Sequence, residues 1–188
     1  MDRQLKFLGL VGSLRRGSYN KALMQTAMRL LPESVTMEIF DIGEFPPFNQ
    51  DELDSAPPGV VKQFKIAIRA ADAILIASPE YNYSIPGVLK NAIDWASRPP
   101  NENAFDGKTV AIMSASIGKL GGARMQYHLR QTFIFLNMYP INRPEFMLAN
   151  AQDYFDDKGN LVDEETRQRL RRLLEALATW TRKLKEKP

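Results

Sequence analysis

The sequence contains no cysteine and a single histidine, His128. The absence of cysteine excludes disulfides, thiolate nucleophiles, iron–sulfur clusters and cysteine-ligated zinc. A Ser-His-Asp triad would depend on His128 alone, and this residue lies among Arg124, Tyr127 and Arg130 in a segment predicted to be helical. We therefore expect His128 to have a surface or interface role, and we identify no catalytic side chain and no metal site.

The sequence also lacks an apolar run long enough to cross a membrane, and residues 1–6 lead into a segment too short for the apolar core of a secretory signal. We expect a soluble, cytoplasmic protein without membrane insertion. The formal net charge is +3, from 25 basic and 22 acidic residues. This mild excess suits anionic small ligands, and it lacks the clustered basic face that binds nucleic acid.

Apolar segments alternate with segments of helical periodicity, and the 188 residues, 44% of them hydrophobic, suit one domain spanning 1–188. The run 6–11 ends at Gly12, as expected for a parallel strand buried on both faces. Further strands are predicted at 35–40, 73–77, 109–113 and 141–148, helices at 19–31, 60–71, 86–96, 121–138 and about 170–180, and a long proline-rich loop at 45–58. This alternation predicts a three-layer α/β sandwich, in which a five-stranded parallel sheet carries helices on both faces.

Three unusual loops follow the first, third and fourth predicted strands. They are the first loop (Gly12–Asn20), the second loop (Ser78–Gly87) and the third loop (Ser114–Gly122). In parallel sheets of this kind, ligands bind beyond the carboxyl ends of the strands, near the point where the strand order reverses. The three loops are therefore the candidate site.

The first loop joins a strand to a helix, so its backbone N–H groups and the helix dipole favour an anion. Ser13, Ser18 and Asn20 can each donate a hydrogen bond, and Arg15 adds charge-assisted pairing to a phosphate. The alternative is that Ser18 only caps the helix.

The first loop does not match two other phosphate-binding motifs. Gly12 and Gly17 have the Walker glycine spacing, but Ser18 stands where that motif requires lysine. The pair Gly9 and Gly12 does not match the dinucleotide-binding fingerprint. These failures favour a bound monophosphate over ATP or a pyrophosphate.

The second loop is rich in aromatic and amide side chains, which can cover a planar ring and hydrogen-bond to its edge. The alternative is a turn whose tyrosines pack against a neighbour. The third loop is rich in glycine, which leaves N–H groups exposed and allows a ligand to approach the backbone closely. A flexible glycine linker is the alternative here.

Taken together, the three loops resemble those of the NADPH-dependent FMN reductase family, particularly its quinone and chromate reductase branch. Residues 12–20 are similar to the family's phosphate loop GSxRxxSxN, and residues 78–95 are similar to its flavin-ring segment. The resemblance implies that the FMN phosphate is bound by Ser13, Arg15, Ser18, Tyr19 and Asn20, that the isoalloxazine is lined by Pro79, Glu80, Tyr81, Asn82 and Tyr83, and that the ribityl chain and pyrimidine edge are approached by Ser114, Ser116, Gly118, Gly121 and Gly122.

The resemblance further implies a flavodoxin-like fold with strand order 2-1-3-4-5 and a homodimer or homotetramer. Arg124, Tyr127 and Glu145 are expected at an exposed edge, where polar contacts would tie dimers into the tetramer. The implied activity is that of an oxidoreductase in which FMN N5 carries the chemistry, with NADPH or NADH as electron donor. Quinones, azo dyes, chromate and free flavin are the expected acceptors, and the expected kinetics are ping-pong.

Proteins of other classes share this fold. A flavodoxin-type electron carrier usually presents an acidic face, whereas this chain is net basic, and it remains the alternative function. A receiver domain needs aspartates where the first and third strands end, and these ends read Val11–Ser13 and Ala77–Pro79. A nucleoside-handling transferase would need carboxylates at the strand ends, where only Glu80 qualifies.

Overall fold

A parallel sheet forms the middle layer of the computed structural model, which describes residues 3–186. The strands are β1 (Leu5–Val11), β2 (Val35–Phe40), β3 (Ala73–Ala77), β4 (Thr109–Ala115), β5 (Tyr139–Pro140) and β6 (Phe146–Leu148). The helices are α1 (Tyr19–Arg29), α2 (Gln50–Ser55), α3 (Gly59–Ala70), α4 (Gly87–Ala96), α5 (Ala123–Phe135) and α6 (Glu164–Lys185). The strand order is β2-β1-β3-β4-β5, which confirms the predicted order, and β6 pairs with β4.

The central strands are apolar throughout because both faces of the sheet are covered. Along β1, Phe7 and Val11 face the layer of α1 and α6, whereas Leu8 and Leu10 face the layer of α3, α4 and α5. Burial of each large apolar side chain contributes about 1.5–3 kcal/mol, so the two layers fix the strand orientation. Within residues 3–186, no helix is both long and apolar enough to span a membrane.

The fifth position of the sheet differs from the prediction of one strand over 141–148. Two short strands, β5 and β6, both pair in parallel with β4 there, and the chain leaves the ladder between them. Pro140 ends β5, and Pro144 lies within this interruption. Since proline cannot donate a ladder hydrogen bond, a continuous strand is disfavoured through this segment.

The prediction of an uninterrupted loop over 45–58 is wrong, because this segment contains α2. Asn49 caps the helix by accepting a hydrogen bond from Asp51 N–H at 3.0 Å. None of the residues of α2 is buried, so the segment has no apolar periodicity that could reveal a helix.

Helix α5 ends at Phe135, about three residues before the predicted end. Asn137 adopts the left-handed conformation with φ of 53°, and Met138 N–H donates back to Phe133 C=O at 3.0 Å. This is the hydrogen-bond pattern of a helix end in which asparagine replaces the usual glycine.

At the amino-terminal end of the sheet, Asp72 ties the two ends of the described chain together. Its side chain is 5% exposed, accepts from Lys6 N–H at 2.7 Å, pairs with Lys185, and lies 3.6 Å from the Arg3 guanidinium. Burial opposes the ionisation of Asp72, but the hydrogen bonds from Lys185 and Lys6 outweigh it and hold the pKa of this carboxyl below its usual value.

We predict that Asp72→Asn lowers the free energy of unfolding at pH 7 by about 1–3 kcal/mol, because an amide accepts weaker hydrogen bonds from charged partners. The pKa of Asp72 is lower in the folded than in the unfolded state. Its contribution is therefore complete above the usual carboxyl value of 3.8 and is lost as the pH falls through the folded-state pKa.

Chemical denaturation at pH 7 and at successively lower pH tests this, with the exposed Asp157→Asn as the matched control. The difference between wild type and Asp72→Asn should close in the acid window. A difference that stayed constant with pH would contradict the role assigned to the Asp72 carboxylate.

Candidate functional site

The three loops begin side by side at the carboxyl ends of β1, β3 and β4. Val11 is in register with Ala77, and Ala77 with Met113. Gly12 N–H donates to Ala77 C=O at 2.9 Å, and Ser78 N–H donates to Met113 C=O at 3.1 Å. The predicted meeting of the loops at one edge of the sheet is therefore observed.

Gly12 is required by the close approach of the first two loops. A Cβ atom at this position would lie 2.3 Å from Ser78 Oγ and 2.9 Å from Ser78 Cβ. Because Ser78 is fully buried, it has no room to move away. The backbone of the first loop is thus held directly against the start of the second.

The first loop presents unpaired backbone donors at the start of α1. Within residues 3–186, the N–H groups of residues 13–20 donate to no other protein group. Ser18 is the N-cap: its Oγ accepts from Lys21 N–H at 3.4 Å, which leaves its hydroxyl hydrogen free to donate. Arg15 is exposed, and Lys21 Nζ supports the loop through Leu14 C=O at 3.2 Å.

The Asn20 side chain is used largely within the protein. It is 2% exposed, its Nδ2 donates to Ala115 C=O at 2.9 Å, and its Oδ1 accepts from Ala115 N–H at 3.0 Å. One amide hydrogen remains for a ligand. Asn20 therefore connects the start of α1 to the end of β4. Ser13, at the start of the loop, is 3% exposed.

Tyr19 faces away from the other two loops. Its ring packs against Phe155 at a centroid distance of 5.3 Å, in the layer of α1 and α6. The two rings line a groove of about 620 Å³ between α1 and residues 152–160. Of the predicted site residues, only Ser18 and Tyr19 contact this groove.

The second loop forms a tight turn that exposes aromatic rings. Tyr81 and Ser84 exchange backbone hydrogen bonds of 3.1 and 2.9 Å, and between them Asn82 and Tyr83 have positive φ values of 49° and 68°. Two consecutive left-handed residues are typical of a type I′ turn. Tyr81 and Tyr83 are 48% and 66% exposed, and Pro79 lies half-buried at the base of the loop.

Glu80 connects the second loop to the start of α5. Its carboxylate accepts from the N–H groups of Arg124 and Met125 at 3.1 and 3.2 Å, and it also pairs with the Arg124 guanidinium. The guanidinium in turn lies over the Tyr83 ring, 3.4 Å from its centroid. The hydrogen bond to Glu80 raises the pKa of Arg124, and the capped helix end stabilises the carboxylate.

The third loop differs slightly from the prediction, because Ser114 and Ala115 belong to β4. Ser114 is fully buried, and its hydroxyl donates to Gly121 C=O at 2.5 Å. Ser116 Oγ accepts from Gly118 N–H at 3.1 Å. Both serine side chains thus shape the loop.

Gly121 and Gly122 both have positive φ values, 59° and 87°. A Cβ on Gly121 would lie 3.0 Å from the backbone of Leu148, and one on Gly122 would lie 2.8 Å from Ser114 Cβ. These contacts and the left-handed backbone together require glycine.

The second and third loops enclose a cleft of about 350 Å³. Its lining residues are Glu80, Asn82, Tyr83, Ser116, Gly118, Lys119, Leu120, Gly121, Gly122 and Arg124. The structure thus brings most of the predicted ring and pyrimidine-edge residues together, apart from Pro79, Tyr81 and the buried Ser114. Because Arg124 pairs with Glu80, Lys119 leaves the lining with positive charge, which suits an anionic ligand.

Sequence reasoning missed how two residues of α5 act at this site. Arg124 was expected at an exposed edge between subunits, yet its guanidinium binds Glu80 of the same chain. Gln126, which is completely buried beneath the third loop, was not singled out at all. The polar Gln126 between the apolar Met125 and Leu129, on the buried face of a helix, was the signal that could have revealed it.

We predict that Gly122→Ala lowers the free energy of unfolding of the ligand-free protein by about 1–3 kcal/mol, since the new methyl group meets Ser114 and the backbone must stay left-handed. Urea denaturation measures this difference. Gly59→Ala is the matched control, because a Cβ on this first residue of α3 would meet nothing within 4 Å and should not destabilise the protein. Equal stability of Gly122→Ala and wild type would refute the close packing described here.

This chain is similar to known proteins over most of its length. The model of the NADPH-dependent FMN reductase family matches residues 5–153. An NAD(P)H-dependent FMN reductase of Pseudomonas aeruginosa is 51% identical over 185 residues, covering 98% of this chain and 100% of that protein. An NAD(P)H:quinone oxidoreductase of Solanum tuberosum is 51% identical over 189 residues, covering 97% of this chain and 96% of that protein.

A solved structure supports the same relationship. The flavoenzyme NAD(P)H:(acceptor) oxidoreductase of Paracoccus denitrificans has a TM-score of 0.88 at 33% identity, covering 95% of this chain and 98% of that chain. The resemblance identified from the three loops is therefore confirmed over most of the sequence. This chain belongs to the NADPH-dependent FMN reductase family.

Proposed function

We propose that this protein is an FMN-dependent oxidoreductase that takes electrons from NADPH or NADH and delivers them to quinones. The observation that carries the proposal is the meeting of the three loops at the carboxyl edge of β1, β3 and β4 in a chain of this family. A flavodoxin-type carrier would share the fold, but the relatives described above are named as reductases and oxidoreductases.

The residues present fit FMN. The unpaired N–H groups of residues 13–20, the free hydroxyl hydrogen of Ser18 and the exposed Arg15 form a donor set suited to a phosphate at the start of a helix. Gly121 and Gly122 line the cleft without a side chain, so a flat ring can approach their backbone closely.

In this proposal, the first loop holds the phosphate through Ser13, Arg15, Ser18 and the remaining amide hydrogen of Asn20. Tyr19 contributes its backbone N–H, because its side chain packs on Phe155. The backbone donors of the first loop need no reorganisation when the phosphate binds, since no protein acceptor competes for them.

The second and third loops hold the ring. Pro79, Tyr81, Asn82 and Tyr83 line it, and Glu80 contributes by fixing the turn against α5. Bound FMN would supply the redox chemistry, which is hydride acceptance at N5 and delivery of the electrons to the second substrate. Among the N–H groups of the third-loop glycines, that of Gly122 has no protein acceptor within residues 3–186. It would face the pyrimidine edge and stabilise the negative charge that grows there, while Gly118 and Gly121 would shape the backbone beside it.

We infer ping-pong kinetics, because one open cleft of about 350 Å³ serves both the donor and the acceptor in turn. The same open cleft admits azo dyes, chromate and free flavin as further acceptors. No side chain is assigned as an obligate acid or base. His128 is exposed, with its Nδ1 3.1 Å from Ser84 Oγ, and it has no part in the proposed chemistry.

We propose a homodimer or homotetramer. Ile134 and Phe135 on the outer face of α5 are 81% and 68% exposed, which supports an interface there. The polar contacts between dimers would fall to Tyr127 and Glu145, since Arg124 is used within the chain. The lack of cysteine supports a cytoplasmic location, and we assign residues 1–188 to one domain, of which 1–2 and 187–188 lie outside the described residues.

The activity is tested by a visible spectrum of the purified protein, followed by anaerobic addition of NADPH or NADH and then of a quinone. We expect a bound flavin that is bleached by the nicotinamide and recovers its colour on addition of the quinone. Steady consumption of NAD(P)H with a quinone would distinguish an enzyme from an electron carrier. A colourless protein that takes up no added FMN would overturn the proposal.

We predict that Arg15→Ala weakens FMN binding by about 1–3 kcal/mol, the usual effect of losing a charged hydrogen-bond partner. Fluorescence titration of the FMN-free protein with FMN measures this change. Arg16→Ala is the matched control in the same loop, because Arg16 lines the groove along α1. Unchanged FMN affinity in Arg15→Ala would remove Arg15 from the phosphate site.

A further inference from the structure

Gln126 lies on α5 with its side chain completely buried beneath the third loop. Its Nε2 uses both hydrogens: one is donated to Ser114 Oγ at 2.7 Å and the other to Phe146 C=O at 2.8 Å. The opposite orientation of the amide would place Oε1 against the Phe146 carbonyl, so that two acceptors would face each other. The network therefore fixes the orientation of the Gln126 amide.

The orientation of Gln126 determines that of the Ser114 hydroxyl. Because this oxygen accepts from Gln126, its single hydrogen is directed to Gly121 C=O, at 2.5 Å. The hydrogen bonds thus run from Gln126 through Ser114 to the carbonyl of Gly121. All of these side-chain groups are shielded from solvent, so water does not compete for them.

The fixed carbonyl of Gly121 sets the direction of the next N–H group. In a trans peptide the C=O and N–H bonds point in opposite directions, so Gly122 N–H points away from Ser114. Gly121 and Gly122 line the cleft between the second and third loops. Within residues 3–186, Gly122 N–H has no protein acceptor. Gly122 N–H is therefore a free donor at the cleft, and its direction is fixed by hydrogen bonds in the protein interior.

If only the stability of the fold mattered, Gln126 would be an unfavourable residue at this position. Its Oε1 is buried without a hydrogen-bond partner among the described residues. A buried polar atom without a partner is destabilising, and an apolar side chain of similar size would avoid it. Gln126 therefore makes two hydrogen bonds through Nε2 but leaves its Oε1 unpaired.

We propose that Gln126 is a positioning residue: through Ser114 it holds the Gly121–Gly122 peptide so that Gly122 N–H is directed at the pyrimidine edge of the bound flavin. This inference rests on the proposed function. Negative charge grows at that edge when the flavin is reduced, and an N–H donor there stabilises the reduced more than the oxidised form. Gln126 thereby raises the reduction potential of the flavin.

The test compares the flavin reduction potentials of wild type, Gln126→Leu and Ser114→Ala, each loaded with FMN and equilibrated anaerobically with a reference dye. Both variants release the Gly121 carbonyl. We expect the preference for reduced over oxidised FMN to fall about tenfold, which lowers the potential by about 30 mV for a two-electron couple. The exposed Gln131→Leu on the same helix is the matched control and should keep the wild-type potential.

A second measurement uses the FMN-free protein. Amide hydrogen exchange of residues 116–124 should be faster in Gln126→Leu and Ser114→Ala than in wild type, because the peptide of Gly121 and Gly122 is no longer held. A purely structural role would change this exchange without moving the potential. The potential is therefore the deciding readout.

The outcomes separate the two proposals. A wild-type protein that takes up no FMN would refute the proposed function. FMN-loaded variants with the wild-type potential would refute the positioning role while leaving that function intact. If Gln126→Leu does not fold, Ser114→Ala, which removes one atom, decides the question. Loss of folding in both variants would also overturn the proposal, because the network would then serve stability.

Discussion

The amide of Asn20 makes the two hydrogen bonds on which the geometry of the site depends. Asn20 lies in the first turn of α1, the helix after β1, and its partner Ala115 ends β4, with β3 lying between these two strands in the sheet. The side chain therefore spans the edge from which all three loops leave. A parallel sheet aligns the strand ends by itself, but their loops remain free to separate unless a polar contact of this kind joins them.

Side chains and backbone groups therefore have different roles at the site. Glu80, Ser114 and Ser116 each have the chemistry to bind a ligand, and each is occupied by another part of the protein. These contacts hold the backbone of the second and third loops in place around the cleft. Since the loops are fixed before any ligand arrives, binding requires little ordering of the chain, which is the general advantage of a preorganised site.

Much of the fold and the location of the site follow from the sequence, because both depend on local patterns. Runs such as Ala73–Ala77 have no polar residue and read clearly as buried strands, and the loops after them are conspicuous in glycine and aromatic content. The strand order and the flavin came from the resemblance to a family. Local patterns did not show α2, which buries no residue, or the division of the fifth strand.

The partners of the polar side chains were beyond sequence reasoning for a different reason. Glu80 and Arg124 are separated by 44 positions, and Asn20 and Ala115 by 95, so only the folded chain shows that they meet. The resemblance indicated which residues lie at the site. It did not indicate whether each faces the ligand or its neighbours.

At the other end of the sheet, Arg3 and Lys185 both reach the same carboxylate, that of Asp72. Arg3 and Lys185, near the two ends of the described chain, are thus neighbours in space, at the end of the sheet opposite the cleft. A short linker could join them, and the chain could be opened instead within the exposed Gln50–Ser55 helix. Such a circular permutation would leave the three loops of the site unchanged in sequence.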